Sequence, residues 1–117
     1  MNIPIYRAKK LDSDKYIQGY LLGMWGEYFI SWGETNHVPN KVQVDPLTLA
    51  VHLKDMVDSE GNKIFASLSE DGKGGDIMKD DEYYGIAKYK DSSFVVEYEN
   101  VEECLCEGNF EIIGIHK

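Results

Sequence analysis

The sequence predicts an all-β protein, on three observations. Short runs rich in β-branched and aromatic residues recur along the chain, several alternate polar and apolar residues at period two, and turn residues punctuate them at regular spacing. Such a pattern argues for a β-sandwich or a small barrel. With 117 residues, 43% of them hydrophobic and 28% charged, the chain is long enough to bury its own core, and one domain over 1–117 is expected.

The elements follow in order. Ile3 and Tyr6 form one apolar run and Tyr16, Ile17, Tyr20, Leu21 and Leu22 a second. The polar segment 9–15 between them carries the turn chemistry of Asp12-Ser13-Asp14, so an N-terminal hairpin is expected. Gly23-Met24-Trp25-Gly26 precedes a third strand expected at 27–32, whose aromatic and β-branched content favours a pleated surface. Residues 41–44 alternate, and Asp45-Pro46 then either caps a helical turn or makes a β-turn. Residues 47–53 fit a helical turn or two, or a strand, alternation being the better fit. A turn at 58–62 is followed at 67–75 by a loop rich in glycine and acidic residues, expected to be the most mobile interior segment. Four strands are expected at 76–79, 83–90, 93–99 and 110–116, with a hairpin through Asp91-Ser92. Residues 101–106 suit a helical turn and an edge strand equally.

Charge and composition exclude some functions. The formal charge is −9, and because acids and bases balance over residues 1–57, the remainder carries essentially all of it. That field repels phosphate backbones, so direct nucleic-acid binding is not expected. No apolar run reaches membrane-spanning length, the start lacks the apolar region of a secretory signal, and a cytoplasmic protein without membrane contact is expected. Cys104 and Cys106 are read as reduced, structural thiols. His37, His52 and His116 are scattered without zinc spacing, and the acidic run Asp80-Asp81-Glu82 lacks the alternation of a calcium loop. No metal, cofactor or catalytic residue is therefore assigned. Gly72-Lys73-Gly74-Gly75 lacks the helix of a phosphate cradle.

The aromatics are the most suggestive feature. Trp25, Tyr28, Phe29 and Trp32 cluster beside glycines, and Tyr83 and Tyr84 flank the acidic turn. Trp25, Tyr28, Trp32, Tyr83 and Tyr84 are the candidate binding residues, since exposed aromatics form interface hot spots.

From Lys41 the chain reads Val44-Asp45-Pro46 with Thr48, then Asp58-Ser59-Glu60-Gly61-Asn62-Lys63-Ile64-Phe65, then Gly75-Asp76-Ile77-Met78. This order resembles the YopX family of phage and prophage proteins, with its Val-Asp-Pro, Thr, Asp-x-x-Gly turn, Ile-Phe or Ile-Tyr pair and Gly-Asp-Ile-Val. Tyr6-Arg7-Ala8, Ile17-Gln18-Gly19-Tyr20-Leu21-Leu22 and Glu111-Ile112-Ile113-Gly114 have counterparts there too, so the likeness covers nearly the whole chain. Two departures stand out. Residues 66–74 occupy a place that is almost empty in the family and read as an insertion, and Lys54-Asp55 stand where a Thr-Gly step belongs. The resemblance implies a β-rich fold whose C-terminal part, 75–117, is a small SH3-like barrel, so that the expected architecture is an N-terminal hairpin or small sheet followed by that barrel. It brings no catalytic residue, cofactor or partner.

The leading functional expectation is a non-enzymatic phage accessory protein that binds a host or phage protein through an aromatic patch or a sheet edge. A second is an acidic mimic that occupies the nucleic-acid-binding surface of another protein. A small enzyme with an unrecognised site ranks last. Self-association through an exposed edge is a further expectation.

Overall fold

A computed structural model describes residues 4–53, 56–80, 83–90, 93–98, 101–105 and 110–117. The fold is all-β, as expected. Its strands are β1 (Ile5–Lys9), β2 (Tyr16–Met24), β3 (Glu27–Thr35), β4 (Val38–Gln43), β5 (Ala50–His52), β6 (Ala66–Ser67), β7 (Asp76–Asp80), β8 (Tyr83–Lys90), β9 (Ser93–Glu97), β10 (Glu102–Cys104) and β11 (Glu111–Ile115). They form one continuous sheet ordered β10-β9-β8-β6-β5-β1-β2-β3-β4, with β7 also beside β8 and β11 beside β7. Among the described residues no helix is long and apolar enough to cross a membrane.

The N-terminal part is larger than a hairpin. β1 to β4 run as an antiparallel meander, and the end of β4 returns to the end of β1. Lys10 bridges to Val44, Leu11 N–H donates to the Gln43 carbonyl at 3.1 Å, and Asp45 N–H to the Lys9 carbonyl at 2.9 Å. The meander is thereby rolled around a core of Ala8, Ile30, Val44 and Leu49, against which Tyr6, Ile17, Leu21 and Val42 pack. Alternation explains the membership: Leu21, Ile30 and Val42 stand opposite one another in register, so their side chains share a face.

The C-terminal part is a five-stranded antiparallel unit ordered β11-β7-β8-β9-β10. Its core is Ile64, Ala66, Met78, Ala87, Val96, Leu105 and Phe110. The strand content is compatible with a small barrel-like fold, and no ladder joins the margins β10 and β11 among the described residues.

A buried seam joins the two parts through β5 and β6, the latter meeting β8 in a parallel bridge, Ser67 to Lys88. At its centre the Arg7 Nη2 lies 2.7 Å from Asp76 Oδ1 and donates to the Gly74 carbonyl at 2.6 Å. The guanidinium carbon sits 4.7 Å from the Phe65 ring centre, and Asp76 Oδ2 accepts the Phe65 N–H at 2.8 Å. Both charged side chains are buried. Burial pushes the Asp76 carboxyl above the usual range, with Arg7 partly offsetting it. Gly74 has a φ of +81°, and a Cβ there would stand 1.9 Å from the Thr48 carbonyl oxygen, so only glycine allows this approach.

Several expectations are revised. The 47–53 segment is neither all strand nor all helix: Asp45 caps a 3-10 turn at Pro46–Thr48 by accepting the Leu47 N–H at 3.0 Å, and only β5 follows as strand. The loop expected to be mobile is tied down. Ser67 Oγ donates to the Lys73 carbonyl at 2.8 Å, Gly74 N–H donates to the His116 carbonyl at 2.7 Å, and Gly72, Gly74 and Gly75 are buried. The stretch 66–74 contains β6, the strand that links the halves. Residues 102–104 resolve the open choice as an edge strand, β10. Cys104 is disulfide-bonded rather than a reduced thiol. Cys106 lies outside the described residues, as do Ile3, the Lys54-Asp55 departure, the Asp81-Glu82 part of the acidic run and the Asp91-Ser92 turn.

Candidate functional site

The β2–β3–β4 meander carries three of the five candidate aromatics. Trp25 and Gly26 form the two-residue loop between β2 and β3, closed by the Met24–Glu27 pair. Their φ values, +50° and +79°, are the signature of the type I′ hairpin turn. Gly26 adopts that backbone freely. For Trp25 the left-handed conformation is strained by about 1–2 kcal/mol, and its side chain is 96% exposed, so packing within the chain does not offset the cost.

Tyr28 and Trp32 lie two residues to either side of the fully buried Ile30. Tyr28 pairs with Gly23, whose missing side chain leaves space that the Tyr28 ring borders. Trp32 stands at a β-bulge, where the register steps from Ser31–Lys41 to Gly33–Asn40. Bulges redirect side chains, and Trp32 is 59% exposed against 38% for Tyr28. Four residues along a strand separate the two rings by roughly 13 Å. Tyr20 and Val38, which the sequence reading did not single out, add exposed apolar surface to the same meander. On the face opposite Ile30, Lys41 Nζ sits 5.3 Å from the Phe29 ring centre, a cation–π contact.

Tyr83 and Tyr84 do not join this group. They open β8, separated from β3 by five strand spacings in the sheet order, about 24 Å at ~4.8 Å each along a flat sheet. Tyr83 packs edge-on against Tyr98, with ring centres 6.0 Å apart. Tyr84 borders a shallow depression of about 420 Å³ with Ile77, Ile86, Glu97 and His116.

The acids of the C-terminal part are partly engaged. Lys88 Nζ bonds Glu97 Oε1 at 2.7 Å and the Glu70 carbonyl at 2.5 Å, and Lys90 bonds Glu102 at 2.5 Å. The Lys88 hydrogen bond, more than its charge or that of Lys90, holds the Glu97 carboxyl below its ordinary range despite some burial. Among the described residues no three His, Cys, Asp or Glu side chains converge as metal ligands.

Compared with known protein families, curated proteins and solved structures, the chain matches none. The sheet margins differ in what they offer a partner. β4 carries Pro39, which has no N–H, and Lys41; β10 is three residues long with two glutamates. On β11, Ile112 N–H already donates to Asp58 Oδ2 at 3.3 Å, and just before the strand the Phe110 carbonyl accepts from Ser59 N–H at 2.9 Å. These are the devices that blunt edge-to-edge pairing.

Proposed function

We propose that the chain is a phage or prophage accessory protein of the YopX type, a non-enzymatic protein-binding module. The meander bearing Trp25, Tyr28 and Trp32 is its docking surface. One observation carries this reading: Trp25 is held in a left-handed backbone and left almost wholly in solvent. A bulky residue kept at a local conformational cost, without a packing return, points to a use outside the chain. The blunted margins favour the aromatic surface over strand addition, and Tyr83 and Tyr84 fall outside it.

The test is affinity capture with tagged protein from phage-infected host lysate, at low and high salt, with wild type and Trp25→Ala in parallel. The reading expects a partner retained at high salt and lost with Trp25→Ala. A partner held equally by Trp25→Ala and released by salt would overturn it in favour of the acidic-mimic reading.

A further inference from the structure

The seam carries a feature that the docking reading does not use. Lys9 at the end of β1, Lys73 in the glycine loop and Lys117 line one depression of about 330 Å³, together with Tyr16 and Thr48. That volume is at the small end of ligand sites, and junctions between packed units are where such sites form. The chain has 12 basic and 21 acidic residues, so three lysines sharing one hollow run against its overall charge.

The ion pairs of the described residues leave these lysines largely uncommitted. Lys73 reaches Asp71 only at 3.9 Å, between two exposed groups, while Lys9 and Lys117 take part in none of them. Two carboxylates, Asp14 and Asp45, also line the hollow, yet neither forms an ion pair within 4.0 Å with these three lysines, and Asp45 Oδ1 is engaged by the Leu47 N–H. The Arg7 guanidinium beside the hollow is already paired with Asp76 and adds no free charge to it. It lies 6.0 Å from the Tyr16 ring, bonds the carbonyl of Gly74 next to Lys73, and has a buried Nε without a hydrogen-bond partner. The glycine loop's own N–H groups are spent: those of Gly72, Gly74 and Gly75 donate to the carbonyls of Ser69, His116 and Gly72. Recognition here falls to ammonium groups, not to a backbone cradle.

We propose that this hollow binds a small multivalent oxyanion, the phosphate group of a small molecule or the free ion, gripped by Lys9, Lys73 and Lys117. An oxyanion offers several acceptor oxygens and more charge, so it can bridge ammonium groups that stand too far apart to meet at one chloride. Asp14 and Asp45 limit the site to a compact anion and turn away a nucleic-acid backbone.

The experiment is a backbone amide NMR titration at pH 7.5 with inorganic phosphate, with glycerol phosphate, and with potassium chloride at matched ionic strength. Wild type, Lys9→Gln and Lys73→Gln are compared, the dispersion of each spectrum confirming that the variant is folded. The proposal expects saturable shifts around residues 9, 16, 73 and 117 with phosphate and not with chloride, and binding at least about fivefold weaker in either variant. Tighter binding of glycerol phosphate supports the site with a phosphorylated small molecule as its source, and tighter inorganic phosphate supports it with the free ion. Non-saturating shifts, equal shifts with chloride, or unchanged affinity in both variants would overturn it.

Discussion

Replacing Arg7 by methionine tests the seam most sharply. Methionine keeps an apolar stem against the Phe65 ring but removes the guanidinium that meets Asp76 Oδ1 at 2.7 Å and the Gly74 carbonyl at 2.6 Å. Asp76, 2% exposed, is then a buried charge without a countercharge. Breaking one side of such a pair costs about 3–5 kcal/mol, which at about 4 °C per kcal/mol for a chain of this size lowers Tm by roughly 12–20 °C. The double variant Arg7→Met with Asp76→Leu removes both charges and forfeits mainly the acceptor for the Phe65 N–H, a loss of about 1–3 kcal/mol. The second substitution should therefore recover stability lost to the first. The sign of the pH effect follows from the raised Asp76 pKa. Folding favours its protonated form, so this group's contribution declines as pH rises from the ordinary value of 3.8 through the folded value. Without Arg7 that decline is deeper and extends to higher pH. Urea unfolding across pH measures all of this. A Arg7→Met cost under about 1 kcal/mol, or a double variant less stable than Arg7→Met alone, would refute the reasoning.

Further outcomes follow from single sites. Gly74→Ala should destabilise by about 3 kcal/mol or more, because strain at positive φ adds to a clash with the Thr48 carbonyl, whereas Gly26→Ala, with open space around it, should lose only about 1 kcal/mol; thermal melts compare them. Trp25→Asn should raise stability by up to about 1 kcal/mol in chemical denaturation, since Asn-Gly is the favoured type I′ pair, and a loss would show that Trp25 serves the fold. Burial pushes the Asp58 carboxyl up, but four hydrogen bonds, from Glu60 N–H, Asn62 N–H, the Asn62 side chain and Ile112 N–H, hold it below its ordinary value. Its stabilisation is present above pH 3.8 and is lost as pH falls through the lowered pKa. Asp58→Asn should therefore cost about 1–3 kcal/mol at neutral pH and flatten the acid limb of the stability profile.

Local chemistry made the strands legible. β8 is found at its expected bounds, and β2, β7, β9 and β11 lie within two residues of theirs, because alternation and turn residues fix each strand independently of the rest of the chain. The seam was not legible. Arg7 and Asp76 meet across 69 positions, and nothing local to either one signals the other. The same holds for Lys9, Lys73 and Lys117. In sequence the glycines at 72, 74 and 75 signal backbone freedom, whereas at Gly74 the missing side chain serves a close approach to Thr48. β6 is two residues long, too short for any periodicity to announce. Of the aromatic cluster, Trp25, Tyr28 and Trp32 lie on one meander because they share a strand and its turn. Grouping Tyr83 and Tyr84 with them required the sheet order, which a strand pattern alone does not contain.

The docking claim is tested most directly by titrating the captured partner against wild type, Trp25→Ala and Tyr83→Ala on one surface-resonance instrument. The account predicts that Trp25→Ala binds about 30-fold or more weakly, the size of a hot-spot loss near 2 kcal/mol, while Tyr83→Ala stays within about threefold of wild type. Equal affinity for wild type and Trp25→Ala would contradict it.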